Sequence, residues 1–170
     1  MKYNTCVKQA TLCFLKKEKD GKWNEICLAM KKRGFGEGKW NGVGGKVKVG
    51  KETIEQAAIR EAREEIGVDI KENHLVKGAE LAFHFPHNLD SDQVVHVYVA
   101  STWEGDPVES EEMSPFWFEI DALPYDSMWP GDSEWIKHVL EDKFVTAETT
   151  FGEGDVVLIQ NIVPSEIDYR

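Results

Sequence analysis

Three cysteines in 170 residues, Cys6, Cys13 and Cys27, are too few and too irregularly spaced for a disulfide framework or a metal knuckle. No basic-then-apolar leader precedes them. The expectation is therefore free thiols in a reducing, cytoplasmic compartment, filling space as small core side chains rather than reacting. Basic charge is also scarce: 20 Lys and Arg stand against 31 Asp and Glu, a formal net charge of −11. An acidic surface repels a phosphate backbone, so no polymeric nucleic acid is expected as partner, and a small polyphosphate fits only where a metal ion supplies positive charge. No apolar stretch approaches the ~20 residues of a membrane-spanning helix, so no membrane partner is expected either. No internal repeat or Pro/Ser-rich tract divides the chain.

What is present is globular composition, 41% hydrophobic and 30% charged, in a chain long enough to bury a core without staples. One domain over residues 1–170 is expected, and for the assembly a monomer. β-Branched and aromatic residues cluster or alternate at 6–15, 26–31, 75–85, 94–103 and 116–120, which predicts strands, with Asp20-Gly21 as a hairpin turn between the first two. A helix begins at Glu52 or Thr53, where Thr53 and Gln56 form a capping-box pattern, and stops at Gly67. Trp135, Ile136, Val139 and Leu140 recur at helical spacing and predict a second helix over 133–143, with Asp132 as N-cap. The tail from 144 to 162 reads as two further strands turned at Gly152-Glu153-Gly154. Mixed strands with two helices give an α/β or α+β fold with a helix on each side of a central sheet.

The first helix carries an anomaly. On a wheel of about 100° per residue, Ile54, Ala57, Ala58, Ala62 and Ile66 share one broad arc, and Gln56, Arg60 and Arg63 share the opposite one. Glu61 and Glu65 fall inside the apolar arc and Glu64 at its edge. Carboxylates pointing into the protein body repel one another and lose hydration, so a cation should sit among them. A hard divalent ion suits oxygen ligands and bridges carboxylates to phosphates, whereas the bland alternative is pairing with buried Arg or Lys. Just before this helix, Asn41-Gly42-Val43-Gly44-Gly45-Lys46 is a glycine-rich loop of the kind that lets backbone approach a ligand, although Gly44-Gly45 by itself is a weak signal that a simple turn more often explains.

Gly45, Glu52, Arg60-Glu61, Glu64-Glu65, Gly67 and Val68 together resemble the Nudix box, G-x5-E-x7-R-E-U-x-E-E-x-G-U with U aliphatic. Two departures stand out: six residues rather than five separate Gly45 from Glu52, and the aliphatic after Arg60-Glu61 is the small Ala62. The spacing from Arg60 to Val68, which sets the carboxylates, is intact. The resemblance implies a Nudix-type α/β/α sandwich with a mixed central sheet. Met30 to Gly36, Lys39-Trp40-Asn41-Gly42, Pro107 to Met113, Phe116-Trp117-Phe118 and Met128-Trp129-Pro130 look like the MutT-homologue branch, which hydrolyses oxidised purine nucleoside triphosphates.

That resemblance implies roles position by position. Asn41 hydrogen-bonds the purine edge, Trp129 and Phe35 sandwich or line the ring, and Asp132 faces the base nitrogens. Thr11, Phe83 and Phe85 line the same pocket, with core packing an equal alternative for the two phenylalanines. Lys31 lies near the sugar or phosphates. In animal members of the branch two adjacent acids follow Trp-Pro and both contact the base. Here the first is Gly131, and Gln93 stands where that branch tends to have Met, which weakens the case for recognising several oxidised purines.

The chemistry implied is attack of water on the polyphosphate, releasing nucleoside monophosphate and pyrophosphate, with Mg²⁺ as cofactor and Mn²⁺ able to substitute. Glu61 and Glu65 are the first ligands expected, the Gly45 carbonyl a third, and Glu64 a further ligand or the base. Glu112 reaches the metal or the water from a distant acidic loop, unless the run 109–112 is merely solvated. Arg60 orients a box carboxylate. His84, His87 and His96 are spaced too loosely for zinc. Competing readings place the same site on ADP-ribose, a dinucleoside polyphosphate or an isoprenoid diphosphate, or make the chain a catalytically idle nucleotide-binding module.

Overall fold

The computed structural model describes residues 7–167. Cys6, the first residue of the first expected strand, lies outside them. Among the described residues eight strands form one mixed sheet: β1 (Lys8–Lys19), β2 (Lys22–Lys31), β3 (Trp40–Asn41), β4 (Leu75–His84), β5 (Gln93–Ala100), β6 (Met113–Glu119), β7 (Lys143–Phe151) and β8 (Val157–Glu166). Their order is β3-β2-β1-β5-β4-β7-β8, with β6 also paired to β2. β1 runs parallel to β5 and β4 parallel to β7, and the remaining pairs are antiparallel. Helix α1 (Ile54–Ile66) covers one face and α2 (Asp132–Val139) the other.

Strand alternation builds two cores. Ala10, Leu12 and Phe14 of β1 and Val95, Val97 and Val99 of β5 pack with Trp135, Ile136 and Val139 of α2. The residues between them, Cys13, Leu15, Tyr98 and Ala100, pack with Ala58, Ala62 and Ile66 of α1. A strand buried on both faces reads as an almost unbroken apolar run, which is the pattern of β5. The small Ala57, Ala58 and Ala62 let α1 lie close to the sheet, and all three are fully buried.

The capping box at α1 is present in both directions: Gln56 N–H donates to Thr53 Oγ1 and Thr53 N–H to the Gln56 side chain. Asp20 and Gly21 both take positive φ, 55° and 75°, as a two-residue hairpin requires. That hairpin extends β1 to Lys19 and starts β2 at Lys22, beyond the apolar segments that predicted them, because Lys16, Lys17 and Glu18 pair across the ladder without needing burial. β5 ends at Ala100 rather than 103, and β6 begins at Met113 rather than 116.

The second helix departs from expectation at both ends. Gly131, at φ +88°, occupies the N-cap position, so Asp132 is the first helical residue and its side chain is buried instead of capping. At the other end α2 stops at Val139, Asp142 turns the chain at φ 58°, and Lys143 already belongs to β7. Among the described residues no helix is long and apolar enough to cross a membrane.

Thr53→Ala removes the acceptor of the α1 cap and is expected to cost about 1 kcal/mol of stability, read as a lower urea midpoint at unchanged slope. A variant as stable as the parent would show that α1 does not depend on its cap.

Candidate active site

The acids of α1 divide as the wheel implies. Glu65 is buried at 6% exposure, the Glu61 side chain is largely covered, and that of Glu64 is 55% exposed. Arg60 lies across them. Its Nη1 donates to Glu61 Oε1 at 2.9 Å and Glu64 Oε2 at 3.1 Å, while its Nε and Nη2 form a fork on Glu52 at 2.9 and 2.7 Å. That fork holds the Glu52 carboxyl down to about 2, chiefly through the hydrogen bonds to Arg60. Arg60 therefore orients two box carboxylates and is itself anchored by Glu52, a role for Glu52 that spacing alone did not reveal.

Glu65 has no such partner. Among the described residues its Oε2 accepts only the Gly44 N–H, at 3.2 Å, and burial followed by the neighbouring Glu61 charge pushes its carboxyl up to about 7, with Lys31 acting in the opposite direction. The glycine-rich loop makes this geometry feasible. A Cβ on Gly44 would lie 1.7 Å from the Thr11 carbonyl oxygen, and one on Gly45 would lie 2.5 Å from Glu61 Oε1. The Gly45 carbonyl accepts the Thr11 N–H at 2.9 Å, which leaves it one lone pair for a ligand.

A buried carboxylate beside a like charge, with a backbone carbonyl and glycine-cleared space next to it, fits a hard divalent cation. Among the described residues no three His, Cys, Asp or Glu side chains converge into a ready-made cage. Mg²⁺ needs none, because it keeps several waters and shares one or two carboxylates with substrate phosphates. Glu112 lines the same cavity, but Arg33 holds its Oε1 through Nε at 2.8 Å and Nη2 at 2.6 Å.

These groups form one end of a cavity of about 480 Å³, a size that suits a small-molecule ligand. Its other end is aromatic. The Phe35 and Trp129 rings lie 5.0 Å apart, and Phe85 stacks on Phe151 at 5.1 Å. Phe83 meets Phe151 at 5.7 Å, and Lys39 Nζ sits 4.9 Å over the Trp129 ring. Asp132 lines this end, 4% exposed, with Oδ1 accepting the Trp135 indole N–H at 3.1 Å and Oδ2 unpartnered; burial raises its carboxyl to about 7. Thr11 Oγ1 is likewise buried, and among the described residues neither it nor Asp132 Oδ2 has a hydrogen-bond partner. Asn41 lines the wall, its Oδ1 taking the Gly42 N–H at 2.8 Å.

Every expected site residue except Arg60 thus lines this one cavity, Lys31 and Glu64 included. Phe151, Trp135 and Lys39 were not anticipated. Period-two alternation along β7 would have placed Phe151 beside Val145, Ala147 and Thr149 on the buried face. The histidines serve elsewhere: His96 is buried between the Lys77 Nζ and the Gln9 side chain, at 2.9 and 2.7 Å.

Residues 8–139 match the NUDIX domain, and the chain belongs to the Nudix family. Among its relatives is the oxidized purine nucleoside triphosphate hydrolase of Danio rerio, 44% identical over 133 residues that make up 78% of this chain and 83% of the relative. The Mus musculus protein of the same name is 43% identical over 136 residues, 78% of this chain and 83% of the relative. The solved structure of a MutT protein from Bacillus halodurans superposes with a TM-score of 0.76 at 23% identity, covering 92% of this chain and 97% of that one. That likeness shows the fold, and the mixed sheet between two helices is the architecture the box implied.

Because folding raises the carboxyl values of Glu65 and Asp132, their contribution to stability is full below the ordinary values of 4.5 and 3.8 and is lost as pH rises through about 7. Chemical denaturation of metal-free protein should accordingly show stability falling across that window. Glu65→Gln should flatten the fall, and added Mg²⁺ should restore more stability above pH 7 than below pH 5. An unchanged pH profile in Glu65→Gln would contradict this account of the buried acid.

Proposed function

We infer that this chain hydrolyses oxidised purine nucleoside triphosphates, of the 8-oxo-dGTP or 2-hydroxy-dATP kind, to nucleoside monophosphate and pyrophosphate. It acts with Mg²⁺, for which Mn²⁺ can substitute, on a small-molecule substrate in the cytoplasmic nucleotide pool, and so keeps damaged precursors out of DNA. The observation that carries this reading is the joining, in one cavity, of a buried carboxylate with an acidic neighbour, Glu65 beside Glu61, and an aromatic slot ending in a second buried acid, Asp132. The named relatives, at over 40% identity, carry the same activity in their names.

In this reading Glu61, Glu65 and the Gly45 carbonyl hold the metal, with Glu64 and Glu112 as further ligands or proton acceptors. When bound, the ion neutralises developing phosphate charge and makes water a better nucleophile. Arg60 keeps Glu61 and Glu64 in position from its anchor on Glu52. Glu112 takes part by leaving Arg33, which is exposed and able to release it. Lys31 and Lys46, both lining the cavity, offset the charge of the phosphate chain. Water attacks a phosphorus of the chain, the anhydride P–O bond on its far side breaks, and the proton of the water passes to a carboxylate of the cluster.

At the other end Trp129 offers one face to the ring, and Phe35, which packs directly on Trp129 at 5.0 Å, lines the slot from beside it rather than sandwiching the base as the resemblance allowed. Asp132, Asn41 and Thr11 present a carboxyl, an amide and a hydroxyl to its edge, a set that pairs with both donors and acceptors. A carboxyl whose proton affinity sits near neutrality either donates or accepts there, as an oxidised purine edge requires.

A panel of 8-oxo-dGTP, 2-hydroxy-dATP, dGTP, ADP-ribose and a dinucleoside polyphosphate decides the substrate, because specificity is a ratio of kcat/KM values. An oxidised purine triphosphate should lead, and Glu65→Gln should lower its turnover by at least ~100-fold. ADP-ribose leading the panel would overturn the substrate assignment. Tight nucleotide binding with background hydrolysis, indifferent to Glu65→Gln, would make the chain a binding module.

A further inference from the structure

The aromatic end of the cavity is held from a strand that contributes no side chain to its wall. Trp129 and Asp132 flank a single turn, Trp129-Pro130-Gly131-Asp132, and the residue at its centre cannot hold itself. Gly131 stands at φ +88°, where most residues are strained, and it brings no side chain to cap the eight-residue α2. The Asp132 side chain is committed to Trp135 and the cavity, so it does not cap the helix either.

Gln160, on β8, reaches this turn across the sheet. It pairs with Thr149 of β7, on the same face as Ile162, which packs into the core beneath α2. Its Nε2 donates to the Gly131 carbonyl at 3.0 Å and to the buried Thr149 Oγ1 at 3.3 Å. The fit is close from the other side as well: a Cβ at position 131 would lie 2.7 Å from that same nitrogen. The missing side chain at 131 and the amide of Gln160 therefore occupy one space between them.

We propose that Gln160 is a positioning residue for nucleobase selection, locking the Gly131 turn so that the Trp129 ring and the free oxygen of Asp132 keep one relative placement. The proposal deepens the function inferred above and rests on it. Gln160 touches no substrate. It acts by denying Gly131 the other backbone conformations open to glycine, which would swing Asp132 relative to Trp129. Recognition of a planar base by a ring and one carboxyl oxygen tolerates displacements of only ~0.5 Å, so a loosened turn lowers affinity and blurs selectivity before it affects chemistry at the distant acidic end.

Calorimetric titration of metal-free protein with 8-oxo-dGMP, GMP and AMP, together with steady-state kinetics on the triphosphates, tests this. Gln160→Leu keeps the bulk and removes the donor. It should weaken binding of the preferred monophosphate about five- to tenfold, the usual scale for one hydrogen bond, and raise KM in step, with kcat within about threefold. The preference for oxidised over unmodified purine should narrow, an effect that a general loss of stability does not produce. Thr149→Val removes only the longer of the two contacts and should act in the same direction by about two- to threefold, which keeps the test available if Gln160→Leu folds poorly. Asn161→Leu, on the opposite face of β8, should change neither quantity. Wild-type protein that binds none of the three monophosphates would overturn the purine reading and this assignment together. Wild-type binding with parental affinity and selectivity in both Gln160→Leu and Thr149→Val would overturn the assignment alone.

Discussion

A carboxylate buried without a counter-ion is the constraint from which the site follows. Glu65 is on the face of α1 that packs against the sheet, accepts one backbone N–H and has Glu61 beside it. Arg60 does not relieve it, because its guanidinium is spent on Glu52, Glu61 and Glu64. Such a group is tolerated either protonated or beside a cation. Folding alone favours the first state below about pH 7, and in the proposed function a metal-bound nucleotide would supply the second. The close approach of the Gly44-Gly45 backbone serves that one acid, since the Gly44 N–H is the hydrogen bond it accepts.

The two ends of the cavity solve opposite problems with the same sheet. At the α1 end, carboxylates need positive charge, and a protein of net charge −11 places Lys31 and Lys46 in the cavity wall while Lys32 and Arg33 hold the acidic 109–112 loop alongside. At the α2 end, the walls are aromatic and two polar atoms, Asp132 Oδ2 and Thr11 Oγ1, are buried without partners among the described residues. Each unpartnered atom costs stability on the order of 1–3 kcal/mol in the free protein, a cost offset when a ligand edge supplies the missing hydrogen bond. β1 links the two ends, since Thr11 donates its N–H to the Gly45 carbonyl and itself lines the cavity.

What was legible in the sequence was local in origin. Helical period placed Glu61 and Glu65 inward and Glu64 at the rim, and Thr53 with Gln56 announced the α1 cap, because each depends on neighbours within a turn or two. Resemblance to the MutT-homologue branch, outside the box, then brought residues as distant as Thr11 and Asp132 into one cavity. What was illegible depended on partners far along the chain. Asp132 looks like an N-cap until Gly131 is seen in a left-handed conformation, stabilised by Gln160 from 29 residues away. Glu112 looks free to reach the active centre until Arg33, 79 residues earlier, is found bonded to it. The length of β1 and β2 was underread for a related reason: their outer halves are held by pairing across the hairpin rather than by burial.

The most direct test is anomalous diffraction from crystals soaked with Mn²⁺ and a non-hydrolysable oxidised purine triphosphate. The account predicts manganese bound by carboxylate oxygens of Glu65 and Glu61, with the same nucleotide's ring against Trp129 and its edge on Asp132. Manganese bound away from α1, or a base lodged outside the Trp129–Asp132 slot while the phosphates occupy the acidic end, would contradict it.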